Sequence, residues 1–277
     1  LSPNYTINDP GVVRFTPKGR PFADYTWHKS KRGHGYTNLY KALQESCNVY
    51  FYTISTGKNR VGGADPSVKI GASDVLKYAK MFGLSEPSGL ELSERTPNIS
   101  DEDAVRSAIG QGTNVYSTSQ LARYITGVAN KGTVYDLTLL EKVVDTSGKV
   151  IVDYEPSVYN NIKDVSEGTF QLVHQGMIEM VKKDARFKSL RDAGMQMAGK
   201  TGTAQQSNTH ADHVLFVGFA PSTNPEIALC VRIANGYSSG YPAEIGRDMV
   251  RKYFGLADDS QLIFGRAGVL GTESHGD

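Results

Sequence analysis

Apolar positions recur along the chain at a helical spacing in its first two thirds and in short continuous runs after that. Thr37 suits a helix cap, and Leu39, Ala42 and Leu43 then share one face of a helix over residues 38 to 45. The pattern breaks at Ser46-Cys47-Asn48 and resumes in the apolar run VYFYTIS, so a small polar triplet separates two core-seeking segments. Ser73 caps a second helix, DVLKYAKMF, with Val75, Leu76, Ala79 and Phe82 at helical spacing and Gly83 as its stop. The stretch STSQLARYITGVANKG repeats that design through Leu121, Ile125, Val128 and Ala129, with Gly132 at its end, and a further helix covers 169 to 182 through Leu172, Val173, Met177 and Met180.

Strand signals fall between and after these helices. Two β-branched runs around a Ser-Gly turn in LEKVVDTSGKVIVDYEP predict a hairpin. VLFVGFA and EIALCVRIAN, separated by the turn signal PSTNP, predict adjacent antiparallel strands. Pro242 opens a final helix with Ile245, Met249, Val250 and Phe254 facing inward and Gly255 closing it. Residues 1 to 36 read as loops and short strands, and 258 to 277 as a loosely held tail after a domain over 1 to 257. Helices first, then antiparallel strands, then a terminal helix predict an α+β layered fold and not alternating βαβ units.

Composition narrows function mainly by exclusion. The 277 residues carry 30 Lys and Arg against 29 Asp and Glu, so bulk charge does not select nucleic acid or an anionic membrane as a partner. Cys47 and Cys230 are expected as free thiols, and no run of eighteen apolar residues exists to span a bilayer. Leu1-Ser2-Pro3 is neither an initiator Met nor a signal-like start, and the chain is expected to be a piece of something longer.

Candidate chemistry concentrates in GMQMAGKTGTAQ, residues 194 to 205. Gly194, Gly199, Lys200 and Thr201 satisfy the G-x-x-x-x-G-K-[ST] phosphate-loop pattern, while Lys200-Thr201-Gly202 satisfies the K-T-G element of penicillin-interacting serine enzymes. A phosphate loop needs a buried strand before it and a helix after it. Here FKSLRDA is no buried strand, and GTAQQSNTH has no apolar stripe on which a helix could dock. The alternation in KTGTAQ instead predicts an exposed edge strand, where Gly202 would let a peptide approach and add itself as another strand. Lys200 would then supply a fixed positive charge, Thr201 and Thr203 could bind a carboxylate, and the Thr203 N–H could serve an oxyanion hole.

With that element in place, Ser46-Cys47-Asn48 in ALQESCNVYFYTIS resembles the S-x-N triplet of the penicillin-binding proteins. The segments AIGQGTNVYSTSQLARYITGVANKGTVY and HVLFVGFAPSTNPEIALCVRIANG resemble the stretches that precede and follow K-T-G in that family, and the likeness is closest to the class B transpeptidase domains. The resemblance implies a serine β-lactamase-like antiparallel sheet with helices on both faces. It also implies a D,D-transpeptidase that attacks D-Ala-D-Ala stems of peptidoglycan, forms an acyl-serine and is acylated by β-lactams. Ser46 would relay protons to the leaving amine, Asn48 would bind the substrate's amide backbone, and Lys200 would bias local pKa values and anchor the substrate carboxylate. No cofactor is implied. Cell-wall or division proteins are further expected partners, and the location implied is the outer face of a bacterial plasma membrane, with the anchor outside this chain.

The family's nucleophile lies in S-x-x-K, upstream of S-x-N, and no such motif precedes Ser46. Ser55-Thr56-Gly57-Lys58 is the sole match, and Gly57 marks it as a helix end and not the opening of a core helix. The nucleophile is therefore unassigned, and the N-terminal strands and nucleophile helix of the fold are expected on a missing part of the same protein, itself an expected partner. A β-lactam sensor, a β-lactamase-like hydrolase and a non-catalytic cell-wall scaffold stay open as alternatives, although no E-x-x-L-N element is present for hydrolysis. His210 and His213 lack further ligands at metal spacing, so no metal is assigned. The basic HKSKRGHG reads as solvated surface, with anionic lipid or a glycan-precursor pyrophosphate as the other possibility.

Overall fold

The computed structural model describes residues 2–16, 18–59, 63–64, 70–101, 103–206 and 209–262. Short antiparallel pairs open the chain. Strand β1 (Ile7–Asp9) pairs with β4 (Gly35–Thr37), and β2 (Val12–Val13) with β3 (Phe22–Ala23), with the short helix α1 (Tyr25–Ser30) between β3 and β4. Two helices follow almost without a break, α2 (Leu39–Glu45) and α3 (Asn48–Thr56). Asn38, not Thr37, caps α2, its side chain accepting from the Lys41 N–H; Thr37 is instead the last residue of β4. After the small pair β5 (Lys58–Asn59) and β6 (Gly63–Ala64) come α4 (Ala72–Met81), α5 (Ala104–Ser107) and α6 (Thr118–Ala129). Gly71 occupies the N-cap position of α4, with Ser73 inside the helix. The predicted Ser/Thr start of α6 is a capping box formed by Ser117 and Gln120.

Strand β7 (Thr133–Tyr135) pairs with β10 (Val158–Asn161), and the predicted hairpin between them is β8 (Lys142–Val144) with β9 (Val150–Asp153). Helix α7 (Glu167–Lys183) and the short α8 (Lys188–Asp192) lead into the main sheet. There β11 (Ala198–Ala204), β12 (His213–Ala220) and β13 (Ile227–Ile233) run antiparallel in that order, with Lys200 opposite Val217 and Phe216 opposite Val231. Helix α9 (Gly240–Tyr253) covers the sheet and α10 (Asp259–Leu262) lies within the stretch expected as a loose tail; the rest of that tail is outside the described residues.

Two apolar layers hold the sheet. Phe187, Leu190, Met197, Phe216, Leu229, Ala243 and Val250 fill one side, and Ile125, Val128, Met177 and Phe219 fill the other. Helix α9 corrects the sequence-based expectation, because Ile245 and Met249 are each 44% exposed. Its contact face is instead Gly240, Ala243, Gly246 and Val250. A Cβ on Gly246 would stand 2.6 Å from the Phe216 ring, so this face carries small residues because the helix lies almost on the sheet.

A separate core of Ile7, Val13, Phe15, Ala42, Cys47, Val49, Tyr50 and Tyr52 joins the N-terminal strands to α2 and α3. It fixes the junction between those helices in space. Helix α2 also packs on α7, which in turn packs on β11, and through this chain of contacts the junction faces the strand that carries Lys200.

Candidate active site

Helix α2 ends at Ser46, whose φ of 54° and ψ of 45° place it in the left-handed region. That conformation stops one helix and lets the next begin at once. Cys47 is the N-cap of α3, its sulfur accepting from the Tyr50 N–H, and Asn48 is the first helical residue. Ser46 and Cys47 are thus the whole connection between the two helices and Asn48 opens the second, which explains why the hydrophobic pattern breaks for three residues only.

On the facing sheet, β11 is an edge strand among the described residues, as its alternation predicts. Lys200 Nζ donates to Ser46 Oγ, bridging 154 residues of sequence, and also to the Thr201 carbonyl at 3.0 Å. Burial pushes the Lys200 ammonium down from 10.5 to about 8, so part of the population is neutral near physiological pH and able to accept a proton. Thr201, Gly202 and Thr203 continue the strand beside it, and Gln111 from the preceding loop donates to the Thr203 carbonyl at 3.4 Å. A Cβ on Gly199 would strike the Phe216 ring at 2.4 Å, whereas one on Gly202 would meet nothing closer than Leu215 at 3.8 Å. The fold itself requires glycine at 199 but not at 202.

The other expectations sort cleanly. Residues 198 to 204 form a strand and no helix starts at Thr201, so the phosphate-loop alternative is excluded. Ser55 is buried in the last turn of α3, donating to the Tyr52 carbonyl, and Gly57 closes that helix with φ 63°. His213 is engaged by Gln206 and by the Asn235 N–H, and His210 lies beside Thr209, so these two histidines do not converge.

His34 corrects the surface reading of HKSKRGHG: its side chain is 6% exposed, while His28, Lys29, Lys31 and Arg32 do face solvent. The ring lies against two buried carboxylates, with Nδ1 at 2.9 Å from Asp9 and 3.5 Å from Asp24. Asp9 also accepts from the Gly11 and His34 N–H groups, and the Cys47 thiol donates to it at 3.3 Å. Asp24 accepts from Thr26 at the start of α1 and from the Asn48 N–H at 2.7 Å. Burial opposes ionisation of Asp9, but the bonds from His34, Gly11 and Cys47 outweigh it and hold the carboxyl below its ordinary value. Asp24 is raised by burial, and His34 is raised because its two carboxylate neighbours overcome the effect of burial. Burial and Asp9 together push the Cys47 thiol up.

One ligand atom from each of Asp9, Asp24, His34 and Cys47 lies within 4.8 Å of all the others. Two carboxylate oxygens, an imidazole nitrogen and a thiol are a donor set suited to a tetrahedral divalent cation such as zinc. His34 Nδ1 already faces both carboxylates, and its Nε2 is buried without a hydrogen-bond partner. These four residues could hold such an ion, which would tie the middle residue of the triplet to β1 and α1. Nothing in local sequence marks this group, because its members come from four separate elements; the thiol inside the triplet is its one visible trace.

A family model described as the penicillin binding protein transpeptidase domain matches residues 1–251. The peptidoglycan D,D-transpeptidase MrdA of Haemophilus influenzae is 28% identical over 286 residues, covering 91% of this chain and 41% of that protein. Among solved structures, penicillin-binding protein 2B of Streptococcus pneumoniae superposes with a TM-score of 0.75 at 24% identity, over 91% of this chain and 44% of that one. The imipenem acyl-enzyme complex of Mycobacterium tuberculosis penicillin-binding protein A gives 0.75 at 20% identity, over 92% and 55% respectively. The chain thus spans about two fifths of the length of the curated relative it matches.

Proposed function

Since the chain belongs to the penicillin-binding protein transpeptidase family, we propose that it supplies the S-x-N and K-T-G elements of a peptidoglycan D,D-transpeptidase. The observation that carries this reading is the hydrogen bond from Lys200 to Ser46, which brings two distant motifs to one point. The acylated serine comes from a segment outside these 277 residues, because S-x-x-K is absent before Ser46 and Ser55 points its hydroxyl into its own helix.

In this reading a D-Ala-D-Ala stem adds along the open edge of β11, with Gly202 leaving room for its backbone and the Thr203 N–H directed at the developing oxyanion. Thr201 and Thr203 hold the terminal carboxylate beside the Lys200 charge. As the nucleophilic oxygen bonds to the penultimate D-Ala carbonyl, the peptide nitrogen of the terminal D-Ala becomes the leaving amine and needs a proton. Ser46 donates it and recovers one from Lys200, whose lowered pKa suits that exchange. Asn48 binds the amide backbone of the donor stem. An amine of a neighbouring stem then takes the acyl group, and β-lactams acylate the same serine. The enzyme acts at the outer face of the plasma membrane beside other wall-building proteins. No helix among the described residues is long and apolar enough to cross a membrane.

Labelling with fluorescent penicillin followed by denaturing electrophoresis tests the reading. The full-length protein is expected to carry the label, and Lys200→Ala to slow acylation by about 10²–10⁴-fold. Label on the 30.1 kDa chain alone would overturn the nucleophile assignment. An unlabelled full-length protein would favour the non-catalytic scaffold.

A further inference from the structure

We propose that Gly176 and Lys183 of α7 are positioning residues for the reaction, holding Ser46 within hydrogen-bonding reach of Lys200. What the Ser46 and Lys200 pair does rests on the transpeptidase reading above; how it is held rests on packing alone.

Helix α2 packs on α7 and α7 packs on β11, and among the described residues no packing of comparable extent joins α2 or α3 to β11 directly. The separation of the two motifs is therefore set by what lies on each side of α7. On the sheet side, Met177 shares one apolar layer with Ala198, while Met180 and Val181 share the other with Met197, three residues before Lys200. His174 donates from Nε2 to the Val128 carbonyl at 2.8 Å and its ring lies 4.8 Å from that of Phe219. These contacts fix α7 on the sheet along its length as well as across it.

On its other side, α7 touches each of the last three residues of α2 in turn. Gly176 lies against Leu43, the Glu179 carbonyl accepts from the Gln44 amide at 3.5 Å, and Lys183 donates to Glu45. Gly176 and Lys183 are seven residues apart, which places them on one face of the helix. Ser46 follows Glu45 at once, in the left-handed conformation that ends α2, so a displacement of the helix end passes directly to the hydroxyl. The approach at Gly176 leaves no slack. A Cβ there would stand 2.6 Å from Leu43 Cδ1 and 2.8 Å from Leu43 Cβ. A new rotamer moves Cδ1 but not Cβ, so relief requires a helix to shift, by roughly 1 Å to regain ordinary carbon contact. Since α7 is anchored on the sheet and α2 is seven residues long, α2 is the element that yields. A misplacement of about 1 Å in a catalytic constellation costs about a hundredfold in rate.

Saturation kinetics of penicillin acylation on the full-length protein test this. Gly176→Ala is expected to lower the saturating rate by about ten- to a hundredfold and to leave the half-saturating concentration within about twofold, because the β11 edge is untouched. Lys183→Gln should lower the rate about three- to tenfold with unchanged melting, since an exposed ion pair adds little stability, and Lys183→Arg, which keeps the charge, should restore it. Lys131→Gln breaks the 2.6 Å pair with Glu167 at the opposite end of α7 and should acylate as the parent does. In the same samples, modification of the Lys200 amine, followed across pH by peptide mass spectrometry, reads the Ser46 and Lys200 pair without penicillin. Its midpoint should rise from about 8 towards 10.5 in Gly176→Ala, as the ammonium is released to water. A parent that takes no penicillin would sink the transpeptidase reading and leave this titration to decide the positioning role. Parent-like rates and titration in Gly176→Ala and Lys183→Gln, equal slowing by Lys131→Gln, or a change confined to the half-saturating concentration would each overturn it. Should melting show Gly176→Ala to be misfolded, Lys183→Gln, at an exposed site, carries the test.

Discussion

The Asp24 carboxylate joins the start of α1 to the first residue of α3, accepting the Thr26 N–H with one oxygen and the Asn48 N–H with the other, at 2.7 Å. Asp24→Ala removes a helix cap and leaves the part-buried Asn48 N–H, in the Ser46-Cys47-Asn48 triplet, without this acceptor. The expected loss is about 2–4 kcal/mol, combining a cap with a charge-assisted bond. Asp24→Asn, which keeps the acceptor on one side, should lose less. Urea unfolding of the two variants checks the order, and equal losses would count against the bridging role.

Lys200 should weaken the fold wherever it is charged. Its pKa falls from 10.5 in the unfolded chain to about 8 in the folded one, so between those values the unfolded state binds more protons and stability rises with pH. The penalty is fully present below pH 8 and gone above 10.5, with a size on the order of 3 kcal/mol at neutral pH. Lys200→Met should lack this rise. Chemical denaturation at several pH values from neutral to alkaline checks it, and parallel curves for parent and variant would refute the burial argument.

Glycines 199 and 202 should respond in opposite ways. Gly199→Ala forces a methyl into the Phe216 ring at 2.4 Å and is expected to cost about 1–3 kcal/mol. Gly202→Ala meets only Leu215 at 3.8 Å and should leave stability within about 0.5 kcal/mol while slowing penicillin acylation of the full-length protein. Thermal melts and labelling kinetics separate the two. Normal acylation in Gly202→Ala would mean that the substrate does not lie along this edge.

Zinc should bind through Asp9, Asp24, His34 and Cys47 and raise thermal stability, by about 2.7 kcal/mol when free metal is a hundredfold above its dissociation constant. Metal must displace the Cys47 proton, so affinity should increase with pH. Cobalt substitution provides a direct reading: a thiolate-to-cobalt charge-transfer band that Cys47→Ser abolishes. A variant that binds metal as the parent does would exclude the thiol.

Much of the architecture was legible because it follows from local periodicity. The stripe of α6, the hairpin of β8 and β9 and the adjacency of β12 and β13 each need only a dozen residues of context. The pairing of Ser46 with Lys200 was legible for another reason, the resemblance of two motifs in order. Helix α9 misled because hydrophobicity favours burial of Ile245 and Met249, while close packing on Phe216 favours Gly246 and Ala243, and distance of approach won. His34 misled because its run of basic neighbours looks uniformly solvated. Its burial depends on Asp9, 25 residues away, and pairing across that distance leaves no periodic trace.

The backbone of Ser46 has a consequence for which amino acids the triplet can accept. A proton relay could be served by either hydroxyl amino acid, yet at φ 54° a β-branched side chain crowds its own peptide units. Threonine, chemically equivalent, is conformationally the wrong residue here, and glycine, which the turn would welcome, has no oxygen. Of these three, serine alone combines a hydroxyl for the proposed relay with a side chain that the chain reversal accepts, so the backbone narrows the choice at this position before any substrate arrives.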